Sequence, residues 1–223
     1  PSKYSSQESK KDAFELSRNL GVNTNEISIE ILRKEVLKEL KPIFNKLEED
    51  TTEENVQSRI RGLLLMAISN KYNSLLITTG NKSELAVGYA TLYGDMCGGY
   101  SLLKDVYKTT VIELCNWRNE NILEEFYIKK LNIIPNQIIT KEPSAELKFN
   151  QTDRDSLPPY KVLDQILEML IDQNKDIESI VKSGFNKRII NRVWKMIKNS
   201  EFKRYQSAIG PKLTRMALAN DRR

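Results

Sequence analysis

The chain has 223 residues, 39% of them hydrophobic, and its 35 Lys and Arg against 30 Asp and Glu leave a net charge of +5. That size suits one good-sized domain or a domain with an appendage, and the mild positive excess suits an anionic ligand such as a nucleotide. There is no histidine, no CxxC pair around Cys97 or Cys115, no long basic run and no apolar run of about 18 residues, which argues against a zinc site, a His-based triad, a disulfide framework, a nucleic-acid arm and a membrane span. A cytoplasmic protein is expected.

In chain order, residues 1–9 are polar and loop-like. Ala13, Phe14, Leu16 and Leu20 follow at helical spacing, with Gly21 as the stop. Ile27, Ile29 and Ile31 alternate and predict a strand over 25–31. A helix over 32–47 follows, broken or kinked near Pro42. Acids at Glu53 and Glu54 open a helix to about residue 70 whose apolar face is Val56, Ile60, Leu63, Leu64, Ala67 and Ile68. Leu75–Thr79 reads as a short buried strand, and Asn81 as the N-cap of the next helix with Glu84 at its N3 position. Five of the nine glycines, Gly80, Gly88, Gly94, Gly98 and Gly99, crowd into this stretch, so the backbone must bend sharply or approach something closely. Helices are predicted over 109–119 and 121–131. An irregular segment between Pro135 and Pro143 contains the short run 137–140. Residues 145–159 read as a mobile loop. Helices over 160–171, 176–183, 187–200 and 201–206 lead to a stop at Ile209-Gly210-Pro211 and a basic tail to Arg223. Strand and helix alternate in the first half, which indicates a parallel α/β sheet, while the second half is mostly helical.

Several residues carry two readings. Thr79 and Glu84 suit a phosphate or a metal at the end of a strand, or merely a strand end and a capping box. Lys104 and Lys108 clamp phosphates or are solvated surface lysines. Asn55 and Arg59 share a helix face, where Arg59 reaches a ligand anion or water. Asp95, Asp153 and Asp155 are ligand contacts or loop acids. Cys97 has no histidine to act as its base.

The words of the sequence say more. Glu54-Asn55-Val56-Gln57-Ser58-Arg59, Leu76-Ile77-Thr78-Thr79-Gly80-Asn81-Lys82-Ser83-Glu84 and Val87-Gly88-Tyr89-Ala90-Thr91-Leu92-Tyr93-Gly94-Asp95 closely resemble the synthetase domain of the glutamine-dependent NAD(+) synthetases. The match runs on through Leu103-Lys104-Asp105-Val106, Lys108-Thr109, Pro143-Ser144-Ala145-Glu146-Leu147, Gln151-Thr152-Asp153, Asp155 to Tyr160 and Glu201-Phe202-Lys203-Arg204. It covers nearly the whole chain.

This resemblance implies an adenine nucleotide alpha hydrolase-like fold of the N-type ATP pyrophosphatase kind. It also implies a ligase that adenylates the carboxylate of deamido-NAD with ATP and Mg2+, then amidates it with ammonia. Position by position, Thr79 and Ser144 match ATP contacts and Lys108 the lysine on the ATP phosphates. Glu84 matches a carboxylate assigned to Mg2+ or to deamido-NAD. Asn55, Arg59, Tyr89, Ala90, Thr91, Leu92, Tyr93, Gly94 and Lys203 match the deamido-NAD side, and residues 145–159 look like a lid.

Ammonia-only members carry a Lys where Leu92 stands and an Asp where Gly99 stands, so the chain resembles the glutamine-dependent branch. The family's SGGxDS phosphate loop does not occur in the sequence, and the family places it, with the first strand and the amidohydrolase (glutaminase) domain, ahead of the stretch that opens here at Pro1. The expectation is an N-terminally incomplete synthetase domain over 1–223, homo-oligomeric, with weak or no ATP turnover alone. AMP formation from deamido-NAD and ammonia would refute the last point. The alternatives are a degenerate nucleotide-binding module and, more weakly, a GMP synthetase-like amidotransferase.

Overall fold

The computed structural model describes residues 1–218, in two compact units. The first is built from Pro1–Gln57 and Thr110–Ser156, the second from Ser58–Thr109 and the chain from Leu157 onward. Residues 219–223 of the expected basic tail lie outside the described residues. In chain order the elements are α1 (Gln7–Leu20), α2 (Glu30–Phe44), α3 (Thr51–Tyr72), β1 (Ile77–Thr78), α4 (Lys82–Val87), β2 (Tyr100–Ser101) and α5 (Lys108–Glu120). Then come α6 (Asn136–Thr140), α7 (Tyr160–Leu167), α8 (Ile177–Lys182), α9 (Lys187–Asn199) and α10 (Glu201–Tyr205).

In the first unit, α1 starts earlier than its apolar spacing predicts, because Ser6 caps it by accepting the Ser9 N–H at 3.1 Å. Gly21 ends it in the left-handed conformation, as expected. The strand predicted over 25–31 is absent. Only Ile29 of the three alternating isoleucines is buried. No strand occurs among the described residues of this unit, and a lone strand leaves its N–H and C=O groups without partners. Helix α2 instead starts at Glu30, where Glu30 meets Arg33 one turn on at 2.8 Å. Pro42 falls in its last turn, just before the stop at Asn45.

The helix predicted over 121–131 is also absent. Arg118 in the last turn of α5 donates to the carbonyls of Asn121, Ile128 and Lys130 at 3.2, 2.7 and 3.1 Å. Carbonyls gathered around one guanidinium cannot also line up along a helix. The run at 137–140, by contrast, forms the short α6.

In the second unit, β1 and β2 pair in parallel, Ile77 opposite Tyr100 and Thr78 opposite Ser101. With the helices around it this is the α/β nucleotide alpha hydrolase-like fold. The strand is shorter and less buried than expected: Leu75 and Ile77 are 66% and 48% exposed. The second half of α3 likewise leaves Leu63 and Ile68 exposed. The apolar core lies among α4, α7, α8 and α9, built on Ala86, Leu163, Ile166, Ile180, Ile190, Val193 and Ile197. The spacing of Ile190, Val193 and Ile197 explains why α9 lays one stripe on that core. The helix predicted over 160–171 is α-helical only to Leu167. Its last turn, Glu168–Asp172, is a π turn, which shifts the side-chain register so that Asp172 meets Lys82 at 2.9 Å. No helix among the described residues is long and apolar enough to cross a membrane.

Candidate nucleotide site

The second unit assembles the site around α4. Beyond β1 the chain passes exposed Thr79 and half-buried Gly80 to Asn81. The Asn81 side chain accepts the Glu84 N–H at 3.0 Å, and the Glu84 carboxylate accepts the Asn81 N–H at 3.2 Å. The capping box read from the sequence is therefore real. It does not exhaust Glu84, whose carboxylate also meets Lys108 Nζ at 3.3 Å. Burial pushes the Glu84 carboxyl above its ordinary range, with the Lys108 ammonium pulling the other way.

Lys108 itself is tied down from behind. Its N–H donates to Ser83 Oγ at 2.9 Å, and that hydroxyl donates to Asp164 at 2.5 Å. Asp164 also accepts from the N–H and hydroxyl of Thr109 at 2.9 and 2.8 Å. Burial raises the Asp164 pKa although these donors oppose it. The Lys108 ammonium lies 5.5 Å from the Tyr160 ring centroid.

At the far end of α4, Gly88 turns the chain at φ +73°, with no room for a side chain because a Cβ would lie 2.4 Å from Ser200 Cβ. Lys203 Nζ donates to the carbonyls of Gly88 and Ala90 at 2.8 and 2.7 Å. Arg59 Nε donates to Leu92 O at 3.2 Å. Asp95 accepts the Thr91 N–H at 2.7 Å and is held by Ser58. Tyr93, left-handed at φ +63°, donates its hydroxyl to Gln206 at 2.9 Å. Burial lowers the Lys203 pKa, opposed by Asp95.

The structure thus gathers Arg59, Tyr89 to Gly94 and Lys203 into one group, and Glu84 and Lys108 into another. The two groups sit at opposite ends of α4, a helix of six residues and so roughly 9 Å long.

Asn55 and Ser144 belong to the first unit. The Ser144 hydroxyl donates to Gln151 O at 2.5 Å and accepts the Glu146 N–H at 3.1 Å. The surrounding loop, expected to be mobile, is internally bonded. Asp153 is buried in a short 3-10 turn, and Gln151 reaches Glu54 at 2.9 Å. Lys104 is no surface lysine, since it is buried and donates to Ala208 O at 2.7 Å. Burial and Asp95 raise the Cys97 pKa, the opposite of what a nucleophile needs.

Sequence reasoning singled out Glu84 and Lys108 but missed Lys82, Ser83 and Asp164. The first two lay in plain view inside the Asn81-Lys82-Ser83-Glu84 word. Asp164 had no signal, being one acid on a helix eighty residues away. Among the described residues no three His, Cys, Asp or Glu side chains gather to hold a metal. Glu84 is a lone carboxylate, a donor set that suits Mg2+ only when phosphates and water complete its shell.

Residues 1–207 match the NAD synthase family. The chain is 51% identical over its full 223 residues to a glutamine-dependent NAD(+) synthetase of Rhodobacter capsulatus, and spans 40% of that protein's length. Among solved structures, the glutamine-dependent NAD+ synthetase of Acinetobacter baumannii in complex with adenosine diphosphate shares 41% identity at a TM-score of 0.59, covering all of this chain and 38% of that one. The NMN synthetase of Francisella tularensis superposes at a TM-score of 0.73 with 25% identity, covering 96% of this chain and 76% of that one. The chain belongs to the NAD synthase family.

Proposed function

We propose that this chain carries the synthetase chemistry of a glutamine-dependent NAD(+) synthetase. A carboxylate oxygen of deamido-NAD attacks the α-phosphorus of ATP, and the bond to pyrophosphate breaks. Ammonia then attacks the acyl carbon of the adenylate, loses a proton and expels AMP, leaving the amide of NAD. The ammonia comes from glutamine through an amidohydrolase domain in the longer protein, and the setting is the cytoplasm.

The observation that carries this reading is the pairing of functions along α4. A carboxylate and an ammonium, Glu84 and Lys108, stand at its start, and two more cations, Arg59 and Lys203, organise the turn at its end. A reaction between two anionic nucleotides needs such separated positive charge, and positioning with electrostatics is most of what the protein must supply. Thr79, Lys108 and Ser144 serve ATP. Asn55, Arg59, Glu84, the segment Tyr89 to Gly94 and Lys203 serve deamido-NAD. Glu84 would hold Mg2+, which when bound neutralises the departing pyrophosphate. Residues 145–159 act as the lid, and the chain works as a homo-oligomer. The adenosine diphosphate in the Acinetobacter baumannii relative supports the adenine nucleotide.

Calorimetric titration of deamido-NAD into the chain tests the reading. One saturable site is expected, weakened about tenfold in Arg59→Ala, the loss that one charge-assisted hydrogen bond implies. Heats that never saturate would overturn it.

A further inference from the structure

Among the described residues, the most deeply buried charge belongs to none of those assigned above. Lys82 is fully buried, and its ammonium meets Asp105 at 3.0 Å and Asp172 at 2.9 Å. It also donates to Thr214 Oγ1 at 2.6 Å and to Met216 O at 3.0 Å. A buried ion pair is a weak source of stability, because desolvation offsets most of the attraction. Where it is retained, one use is to fix a single arrangement.

The arrangement fixed here is specific. Lys82 lies between Asn81 and Glu84, and its own N–H donates to Val106 O at 2.9 Å. Asp105, Val106 and Tyr107 run directly into Lys108. The Tyr107 hydroxyl donates to Asp172 at 2.6 Å. Main chain and side chain of one lysine therefore fasten the strand of chain carrying Lys108 to the turn carrying Glu84. The far side is closed by late sequence, as Asp105 accepts the N–H groups of Leu213 and Thr214 at 2.7 and 2.6 Å.

We infer that Lys82 is a positioning residue: held between Asp105 and Asp172 and closed over by residues 213–216, it sets the spacing of Glu84 and Lys108 at the nucleotide end of α4. The inference rests on the proposed roles of Lys108 in holding ATP and of Glu84 in holding Mg2+. It predicts an effect confined to one end of the helix, since Lys203 and Arg59 hold the other end independently.

The test compares the wild-type chain with Lys82→Met and with the double variant Lys82→Met/Asp172→Asn, which leaves Asp105 as the one carboxylate of the network and still supplied with three donors. Amide hydrogen exchange needs no ligand. The Lys108 and Thr109 amides of the double variant are expected to exchange at least about tenfold faster, with the Tyr89 amide unchanged. In titrations the dissociation constant for Mg2+–ATP is expected to rise about tenfold. Unchanged protection at Lys108 and Thr109 overturns the inference. So does an equal loss at Tyr89, which would make Lys82 a stability residue only. If protection changes as expected but wild type binds no ATP, the positioning role stands and the nucleotide reading of Glu84 and Lys108 fails.

Discussion

Glu84 is pulled in two directions, since burial favours its neutral form and Lys108 favours its charged one. Burial wins, so the carboxyl titrates above its ordinary value. The consequence for stability has a definite sign. At acid pH the group is neutral in folded and unfolded chains alike and carries no penalty. As pH rises from the ordinary glutamate value through the raised folded value, the unfolded chain ionises more readily and folded stability falls. Glu84→Gln is therefore expected to raise the melting temperature at pH 7 by about 1–3 °C, while weakening Mg2+–ATP binding. Melting curves from pH 4 to 8 should show the gain vanish toward the acid end. At Lys203 burial likewise works against the charge and lowers its pKa, while its half-buried ammonium donates to two main-chain carbonyls. Lys203→Met keeps the stem and removes both bonds, so a loss of about 2 kcal/mol in urea unfolding is expected, together with weaker deamido-NAD binding.

At the scale of elements, α4 is too short to persist by its own hydrogen bonds and is defined by its two ends. The Gly88 end admits a sharp test. Gly88→Ala asks a non-glycine residue to sit at φ +73° and to overlap Ser200. The conformational term alone costs about 1–2 kcal/mol, so scanning calorimetry should show a fall of more than about 4 °C. In the core that α9 shares with α4, α7 and α8, Ile190→Ala leaves a hole and should cost about 2–5 kcal/mol in the same assay. These elements were legible in the sequence because local rules specify them: the Asn81 capping box, the Gly88 turn, the apolar stripe of α9. The misreadings came where a distant partner decides. Ile27, Ile29 and Ile31 alternate like a strand but have no neighbour to pair with, and residues 121–131 have helical composition but give their carbonyls to Arg118. Pairwise tertiary contacts leave no periodic mark, which is why Asp164 is illegible in the sequence, whereas Lys82 stands inside the matching word around Glu84.

For the molecule as a whole, the exposed Leu63, Leu65, Met66 and Ile68 on α3 are an apolar surface of the kind that subunit contacts cover, in keeping with the proposed homo-oligomer. Light scattering should give a mass at least about twice the 25.8 kDa of one chain, and a monomer would count against that part of the proposal. Helix α4 also has a consequence in time. Its first turn is secured by Asp172, Thr214 and Met216, and its last by Ser200 and Arg204, both bonded to Ala86 O. During translation the ribosome must deliver 85 residues beyond Val87 before Asp172 exists and 113 before Ser200 does. The segment with the most chemistry is then among the last to settle, and a nascent polypeptide released near residue 199 would keep its amphipathic helices yet lack an ordered nucleotide wall.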